Sequence, residues 1–205
     1  VHYAKTKSFP SFGDEVLAAL KKHYQEYVVF GGYPRVVLTS DREEKLTVLK
    51  NIYNTYFLRE VKDILGLADD YKLSQMIKSL SLQIGNLVNY EEVRQLSILT
   101  FPTMKKYLNF LEKTYISFFI KPYFKNKRTE IVKNPKIYFF DTGLRNFVVE
   151  DFRKIEERPD GGALLENAVA MQIIKEGLNF NFWRSKQKSE LDFVISLPNN
   201  QKLAL

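Results

Sequence analysis

The sequence predicts an α+β chain in three parts: a helical N-terminal segment over 1–70, a winged-helix domain over 71–149 and a truncated α/β unit over 150–205. Three observations predict it. Apolar residues recur at helical spacing through the first third. A helix, a turn, a second helix and two β-rich runs occupy the middle, and the last third sets one helical stretch before short strand-like runs.

Val16, Leu17, Leu20 and Tyr24 mark a first helix, and Tyr27-Val28-Val29-Phe30 runs into a Gly31-Gly32-Tyr33-Pro34 turn. Ser40-Asp41-Arg42-Glu43 has the spacing of a capping box. Behind it Leu46, Leu49, Ile52, Tyr53, Tyr56, Phe57, Val61 and Ile64 predict one long amphipathic helix ending near Gly66. A third helix follows Asp70, with Leu73, Met76, Ile77, Leu80 and Ile84 on one face and Gly85 as its stop. Next come a small helix over 90–96, a turn through Ser97-Ile98-Leu99, and a helix capped by Thr100 whose buried stripe is Met104, Tyr107, Leu108 and Leu111. The runs 115–120 and 136–140 predict a hairpin, which completes a winged helix. The polar stretch 150–162 reads as a linker or flexible loop. Beyond it the pattern is a helix from Ala163 to about Glu176, a strand around 180–183, a basic turn, a strand over 190–197 and the start of another.

Composition bounds the chemistry. A net charge of +7 favours polyanionic partners, DNA foremost. Without cysteine, disulfides, thiolate metal sites and cysteine nucleophiles are excluded. His2 and His23 are the two histidines, so metal–carboxylate chemistry is favoured over a His-based zinc site or a Ser-His-Asp triad. No apolar run approaches the roughly 18 residues of a membrane span. The start Val1-His2-Tyr3 has neither an initiator methionine nor a signal-peptide core, so the chain reads as a piece of a longer, cytoplasmic protein. Gly31-Gly32-Tyr33-Pro34 lacks the lysine of a phosphate-binding loop, and the segment is not expected to bind ATP alone.

The second helix of the winged helix carries Thr103, Lys105, Lys106 and Asn109 off its apolar stripe, where a recognition helix presents polar and cationic groups to a major groove. The stretch 121–136 adds Lys121, Lys125, Lys127, Arg128, Lys133 and Lys136 against Glu130. Such a loop neutralises phosphates and makes binding salt-dependent. Thr103, Lys105, Lys106, Lys125, Lys127 and Arg128 are therefore the candidate nucleic-acid contacts, against the plain alternative of a solvated face and a solubilising loop.

Glu166 shares a helix face with Val169, Ala170 and Ile173, and Glu190 and Asp192 project to one side of a strand. If that helix packs on that side, Glu166 and Asp192 converge on a divalent cation, magnesium (Mg2+), with water completing its shell. Glu166, Glu190 and Asp192 are the candidate catalytic residues. The alternative is that Glu166 pairs with Arg184 or Lys186. Asp141 reads as the cap of a following helix rather than a ligand.

The ordered set Gly31-Gly32-Tyr33-Pro34, Lys133-Asn134-Pro135-Lys136-Ile137-Tyr138, Asp141-Thr142-Gly143-Leu144, Leu165-Glu166-Asn167 and Glu190-Leu191-Asp192-Phe193 resembles the C-terminal half of a family of prokaryotic AAA+ ATPases. The resemblance covers nearly the whole chain. It implies an ATP-binding module in the parent protein, a region catalogued as a domain of unknown function, oligomerisation through the ATPase, and a terminal unit related to the PD-(D/E)XK nucleases. In that pattern Glu166 and Asp192 are the nuclease-like carboxylates, and a Glu-x-Lys strand is expected after Leu203-Ala204-Leu205. Without that strand the segment is expected to be catalytically inactive. The rival expectation is a protein-interaction module with neither nucleic-acid binding nor catalysis.

Overall fold

The computed structural model describes residues 13–66, 71–124, 133–185, 187, 189–197 and 201–205. The architecture is α+β, with helices gathered around two small antiparallel sheets.

Helix α1 (Asp14–Phe30) ends at Gly31, and α2 (Pro34–Leu38) starts on a proline whose missing N–H costs nothing at that position. α3 (Arg42–Asn51) is capped by Asp41, which accepts from the Glu44 N–H at 2.8 Å. The predicted box is therefore used one residue later, since an aspartate followed three places on by a glutamate also satisfies the pattern. The long helix is continuous to α4 (Glu60–Leu65), but its middle, Ile52–Arg59, is wound as a π-helix. α5 (Tyr71–Leu82) buries Leu73, Met76, Ile77 and Leu80 as expected. Gly85, at φ +68°, then turns the chain.

α6 (Tyr90–Ser97) and α7 (Phe101–Lys113) follow. Asn89 caps the first, and Thr100 caps the second by accepting from the Thr103 N–H. The expected stripe of Met104, Tyr107, Leu108 and Leu111 is buried. Strands β1 (Ser117–Ile120) and β2 (Lys136–Phe139) form the antiparallel hairpin, with Ser117 opposite Phe139. The chain between α5 and α6 runs beside β2, bridging Ile84 to Ile137 and Leu87 to Lys136.

After β2, Asp141 caps α8 (Thr142–Val149), and α9 (Gly161–Lys175) leads to β3 (Asn179–Arg184), β4 (Glu190–Ser196) and β5 (Lys202–Ala204), hydrogen-bonded in that order. The hairpin is covered on both sides, which explains the unbroken apolar run after Lys136. Ile137 and Phe139 face a large core that draws residues from Val28 to Ala168. Tyr138 and Phe118 face a second core with Phe180, Phe193 and Ile195.

The stretch 150–162 is not a linker. Arg158 has a fully buried side chain, donating to both carboxylate oxygens of Asp160 at 2.9 and 3.0 Å and to the Asp151 carbonyl at 2.6 Å. Arg145, also buried, donates to Asp160 at 2.5 Å and to the Ser81 carbonyl at 2.9 Å. The polar composition that suggested a flexible connection is consumed by this network. Burial opposes ionisation of Asp160, but the hydrogen bonds of Arg158 and the charge of Arg145 outweigh it and hold the carboxyl below the ordinary aspartate range. The depressed group contributes stability above its unfolded pKa of about 3.9, and that contribution is lost as pH falls through the lower folded value. Asp160→Asn is therefore expected to lower stability by about 2 kcal/mol at neutral pH. Its urea midpoint should also fall less between neutrality and acid than that of the parent chain.

Candidate functional site

The carboxylates singled out in the sequence do converge, and a lysine stands at their meeting point. Glu166 projects from α9, and Glu190 and Asp192 from β4. Two places apart on a strand, Glu190 and Asp192 reach the same side. The Lys136 ammonium, on the first residue of β2, lies 2.8 Å from Glu166, 2.6 Å from Glu190 and 3.2 Å from Asp192. Lys136 is 4% exposed, so it is not part of a solvated basic loop, as the stretch 121–136 had suggested. Its charge is spent on three acids.

Neighbouring elements fix this arrangement. Lys136 and Tyr138 alternate on β2 and share a face, so the Tyr138 hydroxyl donates to the same Glu166 oxygen that receives Lys136. The Lys136 ammonium also sits 5.4 Å from the centre of the buried Phe182 ring. One residue along α9, Asn167 is wholly buried and bonds the β2 backbone twice, accepting from the Phe139 N–H at 2.8 Å and donating to the Phe139 carbonyl at 2.7 Å. That amide clamps α9 to β2 and sets the height of Glu166. On the other side Gly85 closes against the helix, where a Cβ would stand 3.2 Å from Ala163 and 3.3 Å from the second Glu166 oxygen.

Burial alone would lower the Lys136 pKa, but its hydrogen bonds to Glu166 and Glu190 outweigh it and hold the ammonium above the ordinary lysine value. Burial, followed by the charge of Glu166, drives the Tyr138 hydroxyl upward, so it remains a donor. The cluster opens into a cleft of about 260 Å³ lined by Gly85, Asn86, Leu87 and Arg184. Arg184 approaches Glu190 at 3.8 Å, so the partner of Glu166 is Lys136 rather than Arg184; Lys186 lies outside the described residues. Among the described residues no three Asp, Glu, His or Cys side chains form a metal-holding group. Glu166 and Asp192 are joined through an ammonium.

Lys105, Lys106 and Asn109 are exposed on α7. Lys105 lies 3.9 Å above the Tyr90 ring of α6, and the Thr103 hydroxyl shares a 2.8 Å hydrogen bond with Thr100. Lys106 carries no such packing role in the described contacts. Lys125, Lys127 and Arg128 lie outside the described residues. Sequence reasoning missed Lys136, Tyr138 and Asn167 as site residues. The available signal was a lone cation opening the apolar run Lys136-Ile137-Tyr138-Phe139-Phe140, two places from a tyrosine.

Residues 21–155 match a family described as Domain of unknown function (DUF8612), and residues 161–205 match a second, Domain of unknown function (DUF4143). An uncharacterized protein of Haemophilus influenzae is 27% identical over 94% of this chain and 50% of its own length. The uncharacterized protein MJ1544 of Methanocaldococcus jannaschii is 24% identical over 90% of this chain and 42% of its own. The uncharacterized protein Rv2008c of Mycobacterium tuberculosis is 31% identical over 46% of this chain and 22% of its own. The chain thus spans half or less of the length of these curated relatives. No solved structure matches it. Among the described residues no helix is long and apolar enough to cross a membrane.

Proposed function

The chain belongs to the DUF8612 domain family, and from that premise we propose that it is the DNA-engaging part of a larger AAA+ ATPase, with a winged helix for docking and a PD-(D/E)XK-like terminal unit. One observation carries the reading. Lys136, on the hairpin that follows the helix-turn-helix, reaches across to the carboxylates of the terminal unit. In this reading the docking element and the acidic cleft act as one site. The order α5, α6, α7, β1, β2 and the exposed Lys105, Lys106 and Asn109 support the docking half. The DUF4143 match, a domain commonly associated with AAA ATPase proteins, supports the larger context.

In this reading ATP is bound by a separate module of the parent protein, which also supplies any oligomeric contacts, and the protein works in the cytoplasm. The Lys136 ammonium stands between Glu166 and Asp192, so these carboxylates are an incomplete magnesium site, one that would hold the ion only with further ligands from the parent protein and water filling its shell. Bound there, the ion would activate water for phosphodiester attack. Lys136 and Tyr138 orient Glu166, and Lys136 offsets the negative charge of the cleft.

The test is fluorescence anisotropy with a duplex across a range of salt. Lys105→Glu and Lys106→Glu should weaken binding, and each lost phosphate contact should reduce the slope of log affinity against log salt by about 0.9. An unchanged slope would overturn the docking role of α7. A second reading, a protein-interaction module, is favoured by the N-terminal half of α1, where Val16, Leu17 and Leu20 are each about half exposed. That module requires no retention on heparin or duplex DNA at moderate salt, whereas DNA engagement does.

A further inference from the structure

Beside the acidic cleft lies a second one, of about 340 Å³, and the two share Leu87 and Arg184. They form one groove with two chemistries. Leu87, Pro122 and Phe124 give the second cleft an apolar floor, and Lys133, Arg184 and Ser185 give it a cationic and hydroxylic rim. Leu87 is 39% exposed although it is a large aliphatic residue beside the core, and Phe124 is half-buried. The walls are tied together, since the Tyr123 N–H donates to the Phe182 carbonyl at 2.6 Å and the Asn181 amide donates to the Lys121 carbonyl at 3.0 Å. The segment leaving β1 and the strand β3 therefore hold the floor and the rim in fixed relation.

We propose that this second cleft is a subsite for an unpaired nucleotide of a single-stranded nucleic acid, whose backbone continues into the acidic cleft; the proposal rests on the nucleic-acid reading above. An apolar floor bordered by cations suits a nucleotide, since the base offers a flat apolar face and the phosphate a negative charge. The volume is at the low end for small-ligand pockets, which fits one base rather than a duplex. A base stacked and paired within a duplex cannot enter such a cleft, so the occupant is single-stranded or extruded. Arg184 is 40% exposed and its ion pair with Glu190 is long, at 3.8 Å, which leaves guanidinium donors for a phosphate. Lys133 is exposed on the same rim. Arg184 then stands where the strand passes from the nucleotide subsite to Glu190 and Asp192, giving the groove a direction.

The experiment compares labelled oligothymidylate with a mixed-sequence duplex by anisotropy, using the whole chain. Phe124→Ala should weaken oligothymidylate binding about tenfold and leave duplex binding unchanged, with Phe124→Trp restoring it. Lys133→Glu, at an exposed position, should reduce the salt slope for oligothymidylate by about 0.7. A thermal melt of each variant separates loss of the subsite from loss of the fold. If Phe124→Ala melts early, the exposed Lys133→Glu decides. Oligothymidylate binding that neither Phe124→Ala nor Lys133→Glu alters would overturn the subsite. So would duplex binding that depends on Lys105 and Lys106 with no binding of the single strand, and that outcome would leave the docking reading intact. Failure to bind either nucleic acid would remove both. Oligouridylate in parallel identifies the source, with equal binding meaning that the sugar is not read and a preference naming DNA or RNA; each of these supports the subsite.

Discussion

Lys136→Met is expected to destabilise the chain by about 3–5 kcal/mol, the range for removing one partner of a buried ion cluster. Methionine keeps the length and packing of the lysine stem, so the variant isolates the charge. The parent ammonium is 4% exposed and touches Glu166 and Glu190, whose side chains are 16% and 29% exposed. Without it those acids are left close together in a poorly hydrated cleft. Asp192, half exposed, can recover water and contributes less. Adding Glu166→Gln should restore part of the loss, because the pair then buries one charge fewer. Urea unfolding with an unchanged m-value and a lowered midpoint is the expected result. A midpoint equal to that of the parent chain would mean that the carboxylates rehydrate freely and that Lys136 is not what holds the cleft together.

Lys136 also shows where sequence reasoning stops. Glu190 and Asp192 could be paired from strand alternation, and Glu166 could be placed on a packed helix face, because both inferences use spacing along one element. Their common partner could not be found that way. It lies 30 residues before Glu166, on a strand of a different sheet, and it sat in the sequence among cations that looked solvated. The caps at Asp141 and Thr100 and the stripe of α7 were legible for the same local reason. The π-wound Ile52–Arg59 was not, since its apolar residues fit an ordinary helical period. The stretch 150–162 misled because polar residues signal a loop only when they face water, and Arg158 and Asp160 face each other. The apolar residues that mark α1 located the helix but not its buried end. Val16, Leu17 and Leu20 have the helical spacing but stay exposed, while Val28 and Val29 at the far end are buried.

Gly143→Ala should cost about 4 kcal/mol or more, at the upper end for point substitutions, because the obstruction is backbone rather than a movable side chain. A Cβ on Gly143 would overlap the carbonyl of Phe30, at the end of α1. The close approach is required by a set of bonds that join two motifs more than 100 residues apart. Asp141 accepts from the Gly32 N–H and from the Leu144 N–H, both at 2.8 Å. Asn146 donates to the Val29 carbonyl at 2.8 Å, and the Thr142 hydroxyl donates to the Tyr27 carbonyl at 3.2 Å. The start of α8 thus supplies partners to the last carbonyls of α1, bonding Val29 and adding a second donor to Tyr27, which already accepts from the Gly31 N–H at 2.8 Å. Gly31-Gly32 and Asp141-Thr142-Gly143 are two halves of one joint, and the joint brings α1 onto the core from which β2 and Lys136 emerge. An alanine at Gly143 must either separate α1 from α8 or bend one of them, and both break several of these bonds together. Gly162→Ala provides the internal comparison, since a Cβ there meets nothing within 4 Å, and it should stabilise by about 0.4–1 kcal/mol. Melting both variants under one condition tests the joint: equal midpoints would mean that the contact between Phe30 and Gly143 is loose enough to yield a methyl group's space.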